Sequence, residues 1–201
     1  MVTSRPFNPN WAHIPKIFHE ADIQKVVERM EPGQIDQLKH WLSKLSGTCV
    51  FAGDPGRGKT YTAVTCMRYF HSCGIPIENQ RFVSVTGLNQ KWLGELDDKS
   101  TSWYHMQELK KKMVLVVDDF AVRKPSDGFM DYLYDLINER WADPDLITIY
   151  TTNASQAEIN EMMGPRVVSR ICSDEIIKFT GVDQRMKKRE VEPKVQVEFG
   201  K

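Results

Sequence analysis

Gly53-Asp54-Pro55-Gly56-Arg57-Gly58-Lys59-Thr60 decides the fold. The stretch fits G-x-x-x-x-G-K-[ST], the phosphate-binding P-loop. Before it, Thr48-Cys49-Val50-Phe51-Ala52 reads as a short buried strand, and after it Tyr61 to Phe70 reads as a helix. The motif requires that strand–loop–helix context. Its glycines let the backbone curl until N–H groups point inward, and the helix N-terminus adds partial positive charge. Lys59 would reach the β- and γ-phosphates of a nucleotide, and the Thr60 hydroxyl would ligate Mg²⁺. The candidate cradle runs from Gly53 through Thr60 and on to Tyr61. The bland alternative is a glycine-rich turn with an accidental Gly-Lys-Thr, and the flanks argue against it.

Outward from the loop, strands and helices alternate. Ser4 to His19 is an irregular lead-in with three prolines. Glu20 to Met30 is a candidate short helix, broken by Pro32-Gly33. Ile35, Leu38, Trp41, Leu42 and Leu45 carry helical spacing across Gln34 to Leu45. Downstream, strands are expected at Gln80–Val85, Met113–Val117, Leu146–Tyr150 and Glu175–Phe179. Helices are expected at Gly87–Asp97, Trp103–Lys110, Gly128–Trp141, Ser155–Met162 and Val167–Cys172. Ser155 with Glu158 makes a capping box. Continuous apolar strands separated by helices imply a central parallel sheet flanked by helices.

Composition narrows the function classes. Lys and Arg number 27, as do Asp and Glu, so the formal net charge is zero. The whole-molecule field therefore does not drive nucleic-acid binding, which would need a local patch. No apolar run approaches the roughly 20 residues of a membrane span. Cys49, Cys66, Cys73 and Cys172 form no C-x-x-C pair. They read as free thiols in a reducing cytoplasm, with no structural zinc site. No membrane role and a cytoplasmic location are expected.

A phosphate loop needs an acid to hold metal. Val114-Leu115-Val116-Val117-Asp118-Asp119 supplies an apolar strand ending in two carboxylates. Asp118 would hold Mg²⁺ through its water shell, and Asp119 would orient or deprotonate the attacking water. A pair of solvated turn carboxylates is the alternative. The next strand ends Thr151-Thr152-Asn153, where Asn153 could touch the γ-phosphate, start an Asx-turn, or do both. Arg166 and Arg170 lie one helical turn apart and share a face. A surface salt bridge is the default for a lone arginine. Beside this catalytic set, Arg170 becomes a candidate arginine finger supplied to a neighbouring subunit, with Arg166 as a second interface arginine.

Together these segments resemble the AAA+ ATPases of the bacterial helicase-loader group, the DnaC/DnaI type, and their IstB-type transposition relatives. Asp118-Asp119-Phe120-Ala121 stands where the family has Asp-Asp-Leu-Gly. Leu133 to Trp141 is similar to its Leu-Tyr-x-Ile-Ile-Asn-x-Arg-Tyr helix. Thr151-Thr152-Asn153 matches its sensor 1 segment, and Gly164 to Ile171 its Gly-x-Arg-Ile-x-Ser-Arg-Leu box. The match runs from about Ile14 to Arg185.

The resemblance implies a P-loop NTPase core over residues 31–185, after a lead-in at 1–30 and before a tail at 186–201. It implies an absent or minimal lid. Only residues 1–52 precede the P-loop, so a separate helicase-gripping domain is not expected. By the same resemblance the cofactors are ATP and Mg²⁺, and the partners are a replicative DNA helicase, single-stranded DNA and further copies of the chain. Gly87 to Lys112 corresponds to the family's DNA-contacting insertion. Its candidate contacts are Lys91, Trp92, Lys110 and Lys111, with Trp103 and Tyr104 nearby. A core tryptophan and a solvated helix end are the alternatives there. Arg185, Lys187, Lys188 and Arg189 form a second candidate basic patch. The expected activity is slow Mg-dependent ATP hydrolysis in helicase loading. An IstB-like ATPase on duplex DNA and a nucleotide-bound inhibitor of a replication protein are the other readings.

Overall fold

The computed structural model describes residues 6–95 and 99–184. Five strands form one sheet: β1 (Gly47–Ala52), β2 (Gln80–Ser84), β3 (Val114–Phe120), β4 (Ile147–Thr152) and β5 (Glu175–Lys178). The order is β2-β3-β4-β1-β5 and every pairing is parallel. The expected α/β architecture is therefore present.

Strand residues alternate between two cores, as a period of two requires. Cys49, Phe51, Val114, Val116, Ile147, Ile149 and Ile177 point to one face. There they meet α1 (Ile23–Val27), α2 (Pro32–Lys44) and α3 (Lys59–Ser72). Val50, Leu115, Val117 and Tyr150 point to the other. That face is covered by α4 (Val85–Gly94), α5 (Lys99–Lys111), α6 (Asp127–Ala142), α7 (Gln156–Met163) and α8 (Pro165–Ile171). The lead-in belongs to the first core. Ala12, Ile14, Ala21, Val26 and Met30 are all buried in it, and the Phe82 amide on the edge strand donates to the Ala12 carbonyl.

Several boundaries differ from the sequence pattern. Pro32-Gly33 opens α2 rather than ending a helix. Proline at the first helical position forfeits no hydrogen bond, and Glu31 with Gln34 forms a reciprocal capping box just before it. The candidate helix over Glu20–Met30 shrinks to Ile23–Val27, with Asp22 as its cap. α5 begins at Lys99 rather than Trp103. β3 runs past the apolar run to Phe120, so both acids lie within the strand.

Arg140 on α6 is buried with an exposure of 3%. Its guanidinium is surrounded by neutral acceptors. It donates to the carbonyls of Leu109, Lys110 and Lys112 at 3.0, 3.2 and 2.7 Å. It also donates to the Ile147 carbonyl at 2.8 Å and the Thr148 hydroxyl at 2.9 Å. The side chain thus satisfies the carbonyl end of α5 and ties it to β4. Burial pulls its pKa down to about 10. Arg140→Met should leave those buried carbonyls unpaired and lower unfolding stability by about 3 kcal/mol. Urea denaturation followed by circular dichroism measures this.

Candidate nucleotide-binding and hydrolysis site

The sheet aligns the functional ends of its strands. Ala52 pairs with Thr152 at the last rung of β1 and β4, and the Gly53 amide continues the ladder to the Thr152 carbonyl. Asn153 therefore emerges level with the start of the P-loop. Lys59 Nζ donates to the Asn153 Oδ1 at 2.7 Å, and to the carbonyls of Gly53 and Asp54 at 2.7 Å each. Lysine and asparagine, 94 positions apart, are one hydrogen-bonded unit.

The two acids are separated by a bulge. Val117 and Phe120 of β3 face Tyr150 and Thr152 of β4, so β3 carries one extra residue there. Asp119 takes a left-handed φ of +55° and Ala121 one of +58°. The bulge turns Asp118 inward, at 7% exposure, and leaves Asp119 exposed. Asp118 Oδ1 accepts from the Thr60 hydroxyl at 2.8 Å and from the Thr151 hydroxyl at 2.6 Å. Burial raises the Asp118 carboxyl above its ordinary value, and the hydroxyls of Thr151 and Thr60 pull it partly back. Thr151 also accepts from the Asp119 amide at 3.1 Å, so it touches both acids. Sequence reasoning took Asn153 from this segment and passed over Thr151. Its signal was the period of two, which turns Thr151 and Asn153 to the same side.

The remaining predicted residues divide. Pro55, Gly56 and Gly58 shape the loop, and Gly58 ends it at φ +92°. Arg57 forms an ion pair with Asp54 at 3.1 Å within the loop. The Tyr61 hydroxyl accepts from the Asp22 amide at 2.9 Å, which ties the lead-in to α3. Arg170 is half-buried. It donates to Asn138 Oδ1 and to the Arg166 carbonyl, both at 2.9 Å. Its guanidinium lies over Tyr134 and Trp141, 5.2 and 5.1 Å from the ring centres. Arg166 is exposed.

In the basic segment, Trp92 is half-buried, 5.6 Å from Phe129 between ring centres and against Gly128. That packing takes the place of an open stacking surface. Lys110 pairs with Asp135 at 2.7 Å, and Lys91 lies 4.0 Å from Glu95. Lys111 is exposed, as are Trp103 and Tyr104, whose rings touch at 5.1 Å. Arg185, Lys187, Lys188 and Arg189 lie outside the described residues.

The chain after β5 was also passed over. The Phe179 amide donates to the Ala52 carbonyl at 2.7 Å, and the Gln184 amide to Gly56 at 2.9 Å. Residues 179–184 thus run along the P-loop.

No protein-family model and no curated protein matches the sequence. Solved structures do match. The DnaC helicase loader aligns with a TM-score of 0.66 at 23% identity, over 83% of this chain and 100% of that chain. DnaI aligns with a TM-score of 0.71 at 19% identity, over 83% of this chain and 95% of that chain. The chain shares the fold of these proteins, a parallel α/β sheet flanked by helices. The replication initiator DnaA bound to AMPPCP and single-stranded DNA shares the fold at 0.61 and 16% identity, with 81% of this chain covering 52% of that chain. No group of three or more His, Cys, Asp or Glu side chains that could hold a metal ion occurs among the described residues. No helix among them is long and apolar enough to cross a membrane.

Gly53 has φ +144°, and an added Cβ would collide with the Phe179 carbonyl oxygen. Gly53→Ala should therefore push the 179–184 segment off the loop and destabilise the protein by about 2 kcal/mol. Thermal unfolding measures the loss.

Proposed function

We propose that this chain binds ATP with Mg²⁺ and hydrolyses it at subunit interfaces, acting in DNA replication as a helicase-loader-like factor. The carrying observation is the network in which Lys59 meets Asn153 and Asp118 meets Thr60 and Thr151. It gathers the P-loop, the acid strand and the following strand at one edge of the sheet, where open α/β sheets bind ligands. The donor set suits a hard divalent cation, because the Thr60 hydroxyl and the buried Asp118 carboxylate are oxygen ligands held side by side. A Mg²⁺ ion bound there would neutralise charge on the phosphates.

The chain's own groups do the rest. Backbone amides of Gly53 to Gly58 would cradle the phosphates. Lys59 would turn from the two loop carbonyls to the β- and γ-phosphates. Asn153, already bonded to Lys59, would stay within reach of the γ-phosphate or the water. Asp119, exposed at the bulge, would align that water and accept its proton. Arg170 would stabilise the transition state in the site of an adjoining copy. Its stacking on Tyr134 and Trp141 supports this reading, because it fixes a guanidinium on the surface without a carboxylate partner among the described residues. The helicase and single-stranded DNA are the proposed partners, supported by the likeness to a helicase loader and to an initiator bound to single-stranded DNA. The exposed Trp103–Tyr104 pair with Lys111 is the surface we assign to bases and backbone.

Lys59→Ala should abolish binding of a fluorescent ATP analogue. Arg170→Ala should retain it, yet lower ATP turnover by about 10³-fold or more. Light scattering of the native chain with ATP, Mg²⁺ and single-stranded DNA should show a multimer. A monomer under all these conditions, or full turnover by the Arg170 variant, defeats the trans-arginine assignment.

A further inference from the structure

A second cluster of basic side chains lies away from the P-loop, where the lead-in crosses the edge strand. A cavity of about 280 Å³ there is lined by His13, Arg81, Ser84, Gly87, Lys91 and His105, among others. Its walls come from separate elements: the lead-in, β2, the first turns of α4, and α5. His13 is held at a left-handed φ of +59°, a conformation that costs an L-residue about 1 kcal/mol or more. Its ring makes no hydrogen bond among the described residues. His105 Nδ1 faces the Tyr132 hydroxyl at 3.4 Å and Glu95 at 4.0 Å, and Nε2 makes no hydrogen bond among the described residues. Arg81 forms an ion pair with Glu108 through one terminal nitrogen, while its buried Nε has no partner. Lys112 shares Glu108 at 3.2 Å, and Lys91 stands 4.0 Å from Glu95. Three cations thus face two carboxylates before either imidazole is protonated. Ser84 caps the Gly87 amide, and the positive end of the α4 dipole opens on the same space.

We propose that this cavity is an oxyanion site that takes a phosphate group on His13, Arg81, Lys91 and His105. The groups lining the cavity suit a tetrahedral oxyanion: a guanidinium, an ammonium and two imidazoles able to donate once protonated. Burial lowers the pKa of both histidines, with Arg81 and Lys91 adding to the effect, and brings His105 to about 4. Both rings are therefore neutral near neutral pH. An anion between them favours their charged forms, so its binding draws in protons and tightens as pH falls. Glu95 and Glu108 repel an anion placed there, so the cations and the protonated rings must outweigh them. The phosphate could be free or part of a nucleic-acid backbone, and the two sources differ in affinity.

The test is site-resolved NMR of the histidine side chains in the full chain, titrated with inorganic phosphate and, separately, with a single-stranded oligonucleotide. Both are added with EDTA, which removes metal as a cause. The His13 and His105 rings should shift together and saturate, and their pKa values should rise. Apparent affinity for the oligonucleotide, whose phosphodiester charge is constant over this range, should be about tenfold tighter near pH 6 than near pH 7.5. His13→Gln, an exposed change, should weaken binding several-fold without altering the fold. Saturation by the oligonucleotide at far lower concentration than by phosphate identifies a backbone as the source, and the reverse identifies a free ion. If neither titrant moves these two rings, or if His13→Gln leaves the affinity unchanged, the proposal is wrong. Because the readout excludes the P-loop, the result stands whether or not ATP binds there.

Discussion

One carboxylate oxygen joins three parts of the site. Asp118 Oδ1 receives hydroxyl protons from Thr60 at the start of α3 and from Thr151 on β4. Buried charge needs such partners, since an isolated carboxylate in the interior would cost several kcal/mol. The hydrogen bonds therefore fix the distance from P-loop to acid strand and from acid strand to Asn153. Thr152 extends the same lock, donating to the Phe120 carbonyl at 2.7 Å beside the bulge. The bulge then lets consecutive aspartates serve opposite demands, one inside and one open to solvent.

Much of this was legible in the sequence. The Gly53–Thr60 motif declared its strand and helix, and the run Val114–Val117 ended where the carboxylates begin. Those signals are local: chain reversal, apolar periodicity and capping. The bulge was not legible, because nothing in Asp118-Asp119 distinguishes a strand's end from an irregularity within it. Ala121 obscured it further, a residue other than glycine standing at φ +58°. The Lys59–Asn153 bond was foreseeable only as a neighbourhood. The packing of residues 179–184 on the P-loop was hidden, because a polar segment after the last strand carries no periodic signal.

Two of the candidate DNA-contact residues have partners that their local sequence did not reveal. Lys110 looked like part of a free basic run, yet it is paired with Asp135 on α6. Trp92 looked available for stacking, yet it lies against Phe129 and Gly128. In both cases the partner sits on α6, 25 residues beyond Lys110 and 36 or 37 beyond Trp92, out of reach of local periodicity. His13, Arg81 and His105 show the converse. They are scattered singly along the chain, and only the crossing of the lead-in over β2 gathers them.

The seat of Arg170 has a kinetic meaning. A long, flexible side chain that must be caught by its target surrenders about 2 kcal/mol of rotamer freedom at that moment. Here Tyr134, Trp141 and Asn138, all on α6, have already restricted it. The same helix follows directly from the acid strand through residues 121–126. An arginine held in advance in this way would give up less of that freedom on meeting a target.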